Sequence, residues 1–395
     1  MISLRKTAKA WIERVNVPRR ARAQRRLDKR GLPAFDPGPE RAITAGLSWL
    51  GCAQDHSTSN DGGVARHFSL IDGWSDSYPE TTGYIADTFV SLGIENGDQQ
   101  LIERAKRMLD WLVSIQFADG AFQGGMVNEL PRVHATFDTG QILIGLVAGT
   151  RIDDCYRPPM ARAADWLVET QDPDGCWRRY DTPFAASGEK AYETHVSIGL
   201  FRAAAIEPNR GYLAAATKQV DWALSRQRPN GWFDQCCLTD HGNPLTHTLG
   251  YALRGVVEAY LATRTTKYLD AACRTADGLV RAIEPDGRLP GRLNAQWNSA
   301  ANWACLTGTA QIAESLLLLF SLTGQNNYKD IAKKANAFVR RTMIVDGPPE
   351  ICGAVKGSFP IDGWYGRWQY LNWACKFMVD ANRAELQVNQ QSLAK

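Results

Sequence analysis

Apolar side chains recur along the chain at the three- and four-residue spacing of amphipathic helices, and few runs show the alternation of a strand. The pattern predicts pairs of apolar helices, in which the first helix carries Trp-Leu or an equivalent pair. This position falls at Trp49, Trp111, Trp166, Trp222, Gly278 and Ala337. Such a regular period, with two helical segments in each unit, is typical of an array of helical hairpins.

A turn motif follows the first helix of the middle units. It reads QFADGAF at 116–122, QDPDGCW at 171–177 and QRPNGWF at 227–233, with a weaker form, EPDGRLP, at 284–290. Asp-Gly and Asn-Gly provide the positive φ that ends a helix. The motif therefore predicts the end of the first helix in each unit.

The two connections within each unit differ in length. The first helix leads to the second through a long polar loop, as at 53–82, 118–139 and 288–308, whereas the return link is short. Six such hairpins predict an all-α (α/α)6 toroid over residues 40–385, with all long loops at one end. Residues 1–39 are interpreted as a basic amphipathic arm and linker, and residues 386–395 as a carboxy-terminal tail.

Positive charge is concentrated at the amino terminus. Residues 1–30 carry eleven Lys or Arg and two acids, a local charge of +9 within a chain of net charge +3. Leu4, Ala8, Trp11, Ile12 and Val15 lie among them at helical spacing, which predicts a helix on an anionic membrane surface or an arm packed on the body. The pattern contains neither a secretory signal nor an apolar span of about 20 residues. We expect residues 1–30 to be dispensable for folding.

Cysteine usage and motif content narrow the class of protein further. Nine cysteines, with no paired spacing except the adjacent Cys236-Cys237, indicate reduced thiols and a cytoplasmic protein, with peripheral attachment to the inner membrane face as an option. The sequence contains neither a P-loop nor a dinucleotide-binding fingerprint, and the basic arm lacks the interleaved aromatics of a nucleic-acid site. We therefore expect no nucleic-acid partner.

The chain resembles the six-hairpin toroids over about residues 40–385. The segments FDTGQIL (137–143), HTLGYALRG (247–255), CLTGTAQ (305–311) and GSFPIDGWYGRWQYLNWACKF (357–377) are similar to uncharacterised toroid proteins encoded among polysaccharide-biosynthesis genes. The Gln-x-x-Asp-Gly-x-Trp turn resembles the repeat motif of terpene cyclases and protein prenyltransferases. The resemblance implies a carbohydrate-active toroid enzyme or, alternatively, an isoprenoid-handling one.

Polar side chains cluster where the second helix of each unit begins, so we expect an active site at that end of the toroid. Six residues are catalytic candidates because they offer acid, base or proton-donor groups: His134, Asp138, Glu193, His195, His247 and Tyr251. Two carboxylates on either side of a glycosidic bond would make a hydrolase. His195 or His247 as base, Tyr251 as acid and an arginine on a uronate carboxylate would instead make a lyase or epimerase.

A second set of residues is expected to bind the sugar, through aromatic stacking, hydrogen bonds or charge. It comprises Tyr78, Glu80, Tyr84, Arg132, Arg254, Trp297, Trp364, Tyr365, Trp368 and Asn372. Each of these side chains could equally be a strut between neighbouring hairpins. The predicted partner is an oligo- or polysaccharide, and the two arginines favour an acidic one.

A metal site is the weaker alternative, and no cofactor is predicted. Asp234-Gln-Cys236 resembles the Asp-x-Cys half of the prenyltransferase zinc site, which His247 or Cys305 could complete. The family places a histidine where this chain has Cys305. The sequence thus leaves three hypotheses. The first is a carbohydrate-active enzyme, which would be a glycoside hydrolase, a uronate lyase or an epimerase. The second is an isoprenoid cyclase or prenyltransferase, and the third is a non-catalytic scaffold for polysaccharide assembly.

Overall fold

A computed structural model describes residues 17–393 and confirms the (α/α)6 toroid. Within these residues, a short helix, α1 (Arg19–Asp28), precedes twelve helices that form the six predicted hairpins. The outer helices are α2 (Pro39–Asp55), α4 (Gln99–Ile115), α6 (Arg157–Thr170), α8 (Tyr212–Leu224), α10 (Thr266–Ala282) and α12 (Asn326–Arg341). The inner helices are α3 (Pro79–Asn96), α5 (Thr136–Gly149), α7 (Val196–Ile206), α9 (Thr246–Thr263), α11 (Leu306–Thr323) and α13 (Asn372–Leu393). Short 3-10 helices, Asp154–Tyr156 and Ala191–His195, lead into α6 and α7.

Inner and outer helices differ in how much of their surface is buried. All residues of α5 are buried, whereas outer helices such as α10 bury only the face that meets the inner ring. Each inner helix packs on the next one, and α13 packs on α3 and α2. The last unit therefore closes the ring on the first.

A glycine with positive φ follows every outer helix and lies against the backbone of the next outer helix. A Cβ at Gly120 would come within 2.3 Å of the Arg162 carbonyl oxygen, and one at Gly353 within 2.0 Å of the Ala45 carbonyl oxygen. Only glycine fits such a contact. The same arrangement occurs at Gly62, Gly175, Gly231 and Gly287, so the turn motif recognised in the middle units operates around the whole ring.

Two side-chain contacts also repeat between neighbouring outer helices. The amide of Gln171 donates at 2.9 Å both to Gly175 in its own turn and to Ala215 in the next outer helix. The hydroxyl of Tyr212 donates at 2.8 Å to Asp165 in the preceding outer helix, and Tyr268 does the same to Asp221. The recurring Gln and Tyr positions of the repeat are therefore structural ties.

The long loops meet at one end of the toroid, as predicted. Backbone hydrogen bonds join successive loops, for example from Val127 to Ser77 at 3.1 Å and from Ala186 to Leu238 at 2.7 Å. Short strands, which the sequence analysis did not identify, complete these contacts. Those in residues 17–393 are β1 (His67–Ser69), β2 (Gly73–Trp74), β3 (Ala304–Cys305), β4 (Ser358–Phe359) and β5 (Gln369–Leu371), with β1 between β2 and β5 and β3 paired with β4, all antiparallel.

The described part of the amino-terminal arm, α1, packs on this loop end. Arg20 donates to the Leu70 carbonyl oxygen at 2.7 Å, and Asp28 accepts a hydrogen bond from Lys356 at 2.7 Å. The apolar stripe from Leu4 to Val15 lies outside the described residues. At the other terminus, α13 continues to Leu393, so residues 386–393 belong to a helix of the ring.

One helix within residues 17–393 is long and apolar enough to cross a membrane. It is α11, and 67% of its apolar window is buried inside the protein. Its apolar character fits its place in the inner ring.

Candidate active site

A cavity of about 190 Å³ lies at the loop end of the inner ring, and we call it the mouth cavity. Its wall is formed by the amino-terminal turns of inner helices and by the loops before them. The lining includes Arg66, Tyr78, Glu80, Tyr84, Phe137, Thr182, Phe184, Tyr192, Leu238, His247, Tyr251, Tyr365 and Trp373. Aromatic rings form most of this lining. Besides the tyrosines, its titratable or charged groups are Arg66, Glu80 and His247.

Glu80 is the carboxyl group that reaches this cavity. It lies in the first turn of α3 and is 6% exposed. Burial raises the pKa of Glu80, and the nearby Asp138 carboxyl raises it further, while Tyr78 and Arg66 act in the opposite direction. A carboxylic acid in this setting keeps its proton near neutral pH and can donate it.

Asp138 lies in the first turn of α5, directly behind the cavity wall. Its Oδ2 accepts a 2.7 Å hydrogen bond from the hydroxyl of Thr182, which itself lines the cavity, and its Oδ1 accepts one from the Gly125 amide at 3.3 Å. Burial raises the pKa of Asp138, although these hydrogen bonds favour its charged form. Glu80 and Asp138 therefore form a buried pair of carboxyls in which each negative charge is costly, and the charge of Asp138 favours the protonated form of Glu80.

His247 and Tyr251 form the opposite part of the wall, one turn apart on α9. The Nδ1 of His247 lies 2.9 Å from Oε1 of Gln311. With the amide in this orientation Nδ1 donates the hydrogen bond, and Nε2 is then the acceptor. Burial lowers the pKa of His247 to about 4, with the Gln311 contact opposing the shift. The neutral imidazole packs with its centroid 4.4 Å from the Tyr251 ring and 5.3 Å from the Tyr365 ring.

Arg66 supplies a cation to the same cavity, and the sequence analysis did not single it out. Its guanidinium lies over Trp373 at 4.9 Å and over Tyr78 at 5.8 Å from the ring centroids. Among the described residues, none of the ion pairs uses Arg66. In the sequence, Arg66 lies shortly after the Gly62-Gly63 pair and directly before β1. This position in a long loop is the one sequence signal that could have indicated a site residue.

A second, larger cavity of about 610 Å³ opens at the other end of the ring, where the inner helices end; we call it the base cavity. It contains partly buried ion pairs. Arg254 contacts Glu258 at 2.8 Å and Glu314 at 2.5 Å, and Arg202 contacts Asp87 at 2.8 Å. Burial disfavours the charge of Arg254, but the two carboxylates outweigh it and raise the pKa.

Four aromatic side chains separate the two cavities. Tyr84 borders both, Tyr251 faces the mouth, and His195 and Phe377 face the base. The His195 ring lies 4.4 Å from the Tyr251 ring, and Phe377 lies 5.4 Å from Tyr84. His195 is also held by Gln141, whose Oε1 is 2.6 Å from Nδ1.

The structure therefore divides the candidates that the sequence placed in one funnel. His195 and Arg254 line the base cavity, across the aromatic layer from Glu80. Arg254 follows His247 by two turns of the same helix, which corresponds to about 10 Å along its axis. An arginine at that depth cannot neutralise a sugar carboxylate in the mouth cavity, and Arg66 occupies the place expected for it.

Other candidates lie outside both cavities. His134 stacks on Phe117 at 4.3 Å and contacts Asp119 at 3.1 Å on the outer side of its loop. Arg132 lies nearby and donates to Gln123 at 2.7 Å. Contacts with loop backbone and side chains hold both residues away from the cavity, contrary to our expectation that they converge with the rest.

Three further candidates are packed between elements. Glu193 is 2% exposed behind the wall, where burial raises its pKa to about 8. Trp297 is 5% exposed and packs on Trp232, with its Nε1 donating to the Asn230 carbonyl oxygen at 3.1 Å. Asn372 ties the Ala65 carbonyl oxygen to α3 through hydrogen bonds of 3.0 and 2.8 Å. Trp297 and Asn372 are thus held by hydrogen bonds between elements, whereas Oε2 of Glu193 is buried with no hydrogen-bond partner among residues 17–393.

The residues considered for zinc are also apart. Within residues 17–393, no three His, Cys, Asp or Glu side chains group closely enough to hold a metal ion. Asp234 pairs with Arg228 at 2.8 Å, while Cys236 and Cys305 are fully buried thiols whose pKa values burial raises. His247 is engaged by Gln311 as described above.

An (α/α)6 ring with an aromatic-lined cavity at its loop end defines the class as a helical toroid. Residues 46–266 match the family model described as the squalene-hopene cyclase C-terminal domain, which covers more than half of the chain. The chain belongs to that family. Among curated proteins, none matches the sequence.

Solved toroid structures share the fold at low sequence identity. An unsaturated glucuronyl hydrolase specific for heparin superposes with a TM-score of 0.71 at 17% identity, over 89% of this chain and 98% of the other. A D-mannose isomerase gives 0.70 at 12%, over 91% and 100%. Cellobiose 2-epimerase from Bacillus thermoamylovorans B4167 gives 0.69 at 9%, over 86% and 98%.

Proposed function

We propose that the protein is a carbohydrate-active enzyme that hydrolyses the bond of one terminal acidic sugar residue of an oligo- or polysaccharide. The observation that carries the proposal is the Glu80–Asp138 pair at the wall of a small, aromatic-lined cavity. Structural neighbours that act on saccharides support the class, since they share the toroid over nearly the whole chain.

The size of the cavity supports a single sugar ring. An engineered cavity of about 150 Å³ in another protein holds benzene, so the 190 Å³ of the mouth cavity correspond to about one six-membered ring. The tyrosines and Trp373 supply flat faces for the apolar side of a pyranose. Arg66 supplies a positive charge for a carboxylate on that ring, which argues for a uronate.

The proposed chemistry assigns the proton to Glu80. Because burial and Asp138 both raise its pKa, Glu80 is the carboxyl that is neutral and in contact with the cavity, and it donates a proton to the departing oxygen. Asp138 acts through Glu80 and Thr182, so it is a positioning residue. The Nε2 of His247 accepts a hydrogen bond from the attacking water and takes up its proton, which balances the proton that Glu80 gives to the departing oxygen.

This arrangement favours hydrolysis over the lyase or epimerase alternatives. Of the residues named for those alternatives, His195 and Arg254 lie in the base cavity, whereas His247 and Tyr251 line the mouth cavity. The preference for hydrolysis therefore rests on Glu80, the cavity carboxyl that burial and Asp138 keep protonated. The test is an assay of purified protein on short saturated and unsaturated uronyl oligosaccharides in deuterated water. Release of one terminal sugar is expected, with Glu80→Gln inactive. Deuterium incorporated at C5 without cleavage, or a new double bond formed from a saturated substrate, would contradict hydrolysis.

An isoprenoid substrate is the second candidate, because the family model and the aromatic lining both favour it. A cavity that holds one six-membered ring is too small for a thirty-carbon polyprene. Incubation with short and long prenyl substrates tests this directly. Cyclised or prenylated products, formed with no activity on any uronide, would overturn the carbohydrate proposal.

A further inference from the structure

Phe184 marks the opening of the mouth cavity. Of the residues that line this cavity it is the most exposed, at 51%, whereas Arg66, Leu238 and Tyr365 are half-buried and the other lining residues are buried. The proposed function gives Phe184 no role. We propose that its ring stacks on the second sugar residue of the substrate, the one that departs when the bond to the terminal uronate is cleaved.

The volume of the mouth cavity places the second sugar outside it. The 190 Å³ correspond to about one six-membered ring, and that ring carries the carboxylate assigned to Arg66. Glu80 gives its proton to the oxygen that joins this ring to the next one. The next ring therefore begins at the opening of the cavity, where Phe184 presents its aromatic face.

Hydrogen bonds hold the loop that carries Phe184 on both sides of that residue. The hydroxyl of Thr182 donates to Asp138 at 2.7 Å, and the Ala186 amide donates to the Leu238 carbonyl oxygen at 2.7 Å. The aromatic ring is thus two residues away from a side chain that contacts the buried carboxyl pair. The fold therefore fixes where the ring lies relative to the groups that act on the bond.

The surface that Phe184 offers to a ligand is flat and uncharged. Leu238, which lines the same cavity and is bonded to the same loop, is apolar as well. A half-exposed apolar ring gains free energy when another apolar surface covers it. A pyranose has an apolar C–H face and carries its hydroxyl groups at the edge, so it can cover the ring and keep its hydroxyls in water. Because this contact does not depend on charge, a neutral second sugar fits as well as an acidic one.

The inference rests on the proposed function, and binding measured without turnover tests it separately. The full-length Glu80→Gln variant is titrated calorimetrically with glucuronate and with a glucuronyl-glucose disaccharide, and the disaccharide should bind more tightly. Adding Phe184→Ala should raise the dissociation constant of the disaccharide about tenfold, as for the loss of an aromatic contact. The rise for glucuronate should be much smaller. Phe184→Tyr keeps the flat ring and should retain the affinity.

Turnover of glucuronosyl fluoride separates stacking from an effect on the carboxyl pair. Its leaving group is fluoride, which has no ring to place on Phe184. Phe184→Ala should therefore lower kcat/KM about tenfold for the disaccharide and much less for the fluoride. An equal loss on both substrates would mean that the variant acts by disturbing Thr182 and Asp138, which overturns the inference.

Phe35→Ala is the matched control. It removes another exposed phenylalanine, 61% exposed, which lies outside the lining of the mouth cavity, and it should change neither binding nor turnover. Three results of the titration overturn the inference: equal affinity for the disaccharide with and without Phe184→Ala, an equal rise for both ligands, or a disaccharide that binds no more tightly than glucuronate or not at all.

The two proposals fail in different ways. If the disaccharide binds as expected and Phe184→Ala weakens it, while neither the disaccharide nor the fluoride is cleaved, the contact with Phe184 stands and the hydrolase proposal fails. If both substrates are cleaved and Phe184→Ala changes neither rate, the hydrolase proposal stands and the contact with Phe184 is wrong.

Discussion

The ammonium group of Lys356 donates a 2.7 Å hydrogen bond to Asp28, and both side chains are 3% exposed. The second oxygen of Asp28 accepts a hydrogen bond from the Ile361 amide at 2.8 Å. This buried pair joins α1 to the loop that closes the ring. From the sequence we expected residues 1–30 to be dispensable for folding, but for the part from Arg19 to Asp28 we now expect the opposite.

Lys356→Met is predicted to destabilise the protein, because it leaves the Asp28 carboxylate buried without its partner. The free energy of unfolding should fall by about 3–5 kcal/mol. The exposed pair of Arg41 and Asp346 is the control, and Arg41→Met should cost less than about 1 kcal/mol. Urea denaturation followed by circular dichroism measures both. Similar small losses for the two variants would mean that α1 is only loosely attached.

Glu80→Gln is predicted to abolish turnover and to stabilise the protein at alkaline pH. A carboxyl with a raised pKa in the folded state binds a proton that the unfolded state releases, so its contribution to stability falls as pH rises above the unfolded value. At a pH above both values, a folded-state pKa that is higher by one lowers the free energy of unfolding by about 1.4 kcal/mol. The stability gained by the variant over wild type should therefore be near zero at pH 4 and increase up to pH 8.

Glu193→Gln is the matched control for this comparison. Burial also raises the pKa of Glu193, to about 8, but its side chain lies outside the mouth cavity. We expect the same growth of stability with pH and a much smaller loss of turnover than for Glu80→Gln. Thermal unfolding at several pH values, combined with the uronide assay, decides the point. Equal loss of activity in both variants would refute the assignment of the proton to Glu80.

His247→Ala and His195→Ala are predicted to behave differently, although each ring packs 4.4 Å from Tyr251. His247 reaches the mouth cavity, so its removal should lower kcat/KM by about 10²-fold or more. His195 reaches only the base cavity, so its removal should mainly lower the melting temperature. If His195→Ala lowers kcat/KM as much as His247→Ala does, the reaction is not confined to the mouth cavity, and the assignment of the active site to that cavity is wrong.

Attachment of the amino-terminal arm to membranes stays a prediction, because the stripe lies outside the described residues. Replacing Arg5, Lys6, Lys9 and Arg14 by glutamine should weaken binding to phosphatidylserine vesicles by about 1 kcal/mol per charge. Neutral phosphatidylcholine vesicles are the control and should bind neither protein. Cosedimentation measures the effect, and equal binding of both proteins to anionic vesicles would exclude an electrostatic attachment.

The sequence predicted the ring better than the site. The period of the apolar positions and the unequal loops were enough for six hairpins and a common loop end, because both are properties of local spacing. Local spacing does not reveal how far along the toroid axis a side chain lies. Arg254 and His247 belong to the same helix and looked equivalent, but a rise of about 10 Å puts them in different cavities.

Residues that reach the site from loops were the hardest to predict. Arg66 enters the mouth cavity because β1 pairs with β5, which belongs to the last hairpin of the ring. Glu80 and Asp138 were accessible from sequence because each occupies the first turn of an inner helix, where the repeat fixes the direction of the side chain. The strands themselves were missed because each is too short to show an alternating pattern.

Closure of the ring by α13 also determines when this protein can finish folding. Gly46 of α2 packs on Cys375 and Met378 of α13, so the contacts that complete the ring join the first hairpin to the last. During synthesis the first five hairpins emerge before α13 exists, and the apolar flanks of α3 and α11 have no neighbour until then. A nascent chain that stalls before Asn372 is therefore expected to be an open arc with two exposed edges, dependent on chaperones until the last helix arrives.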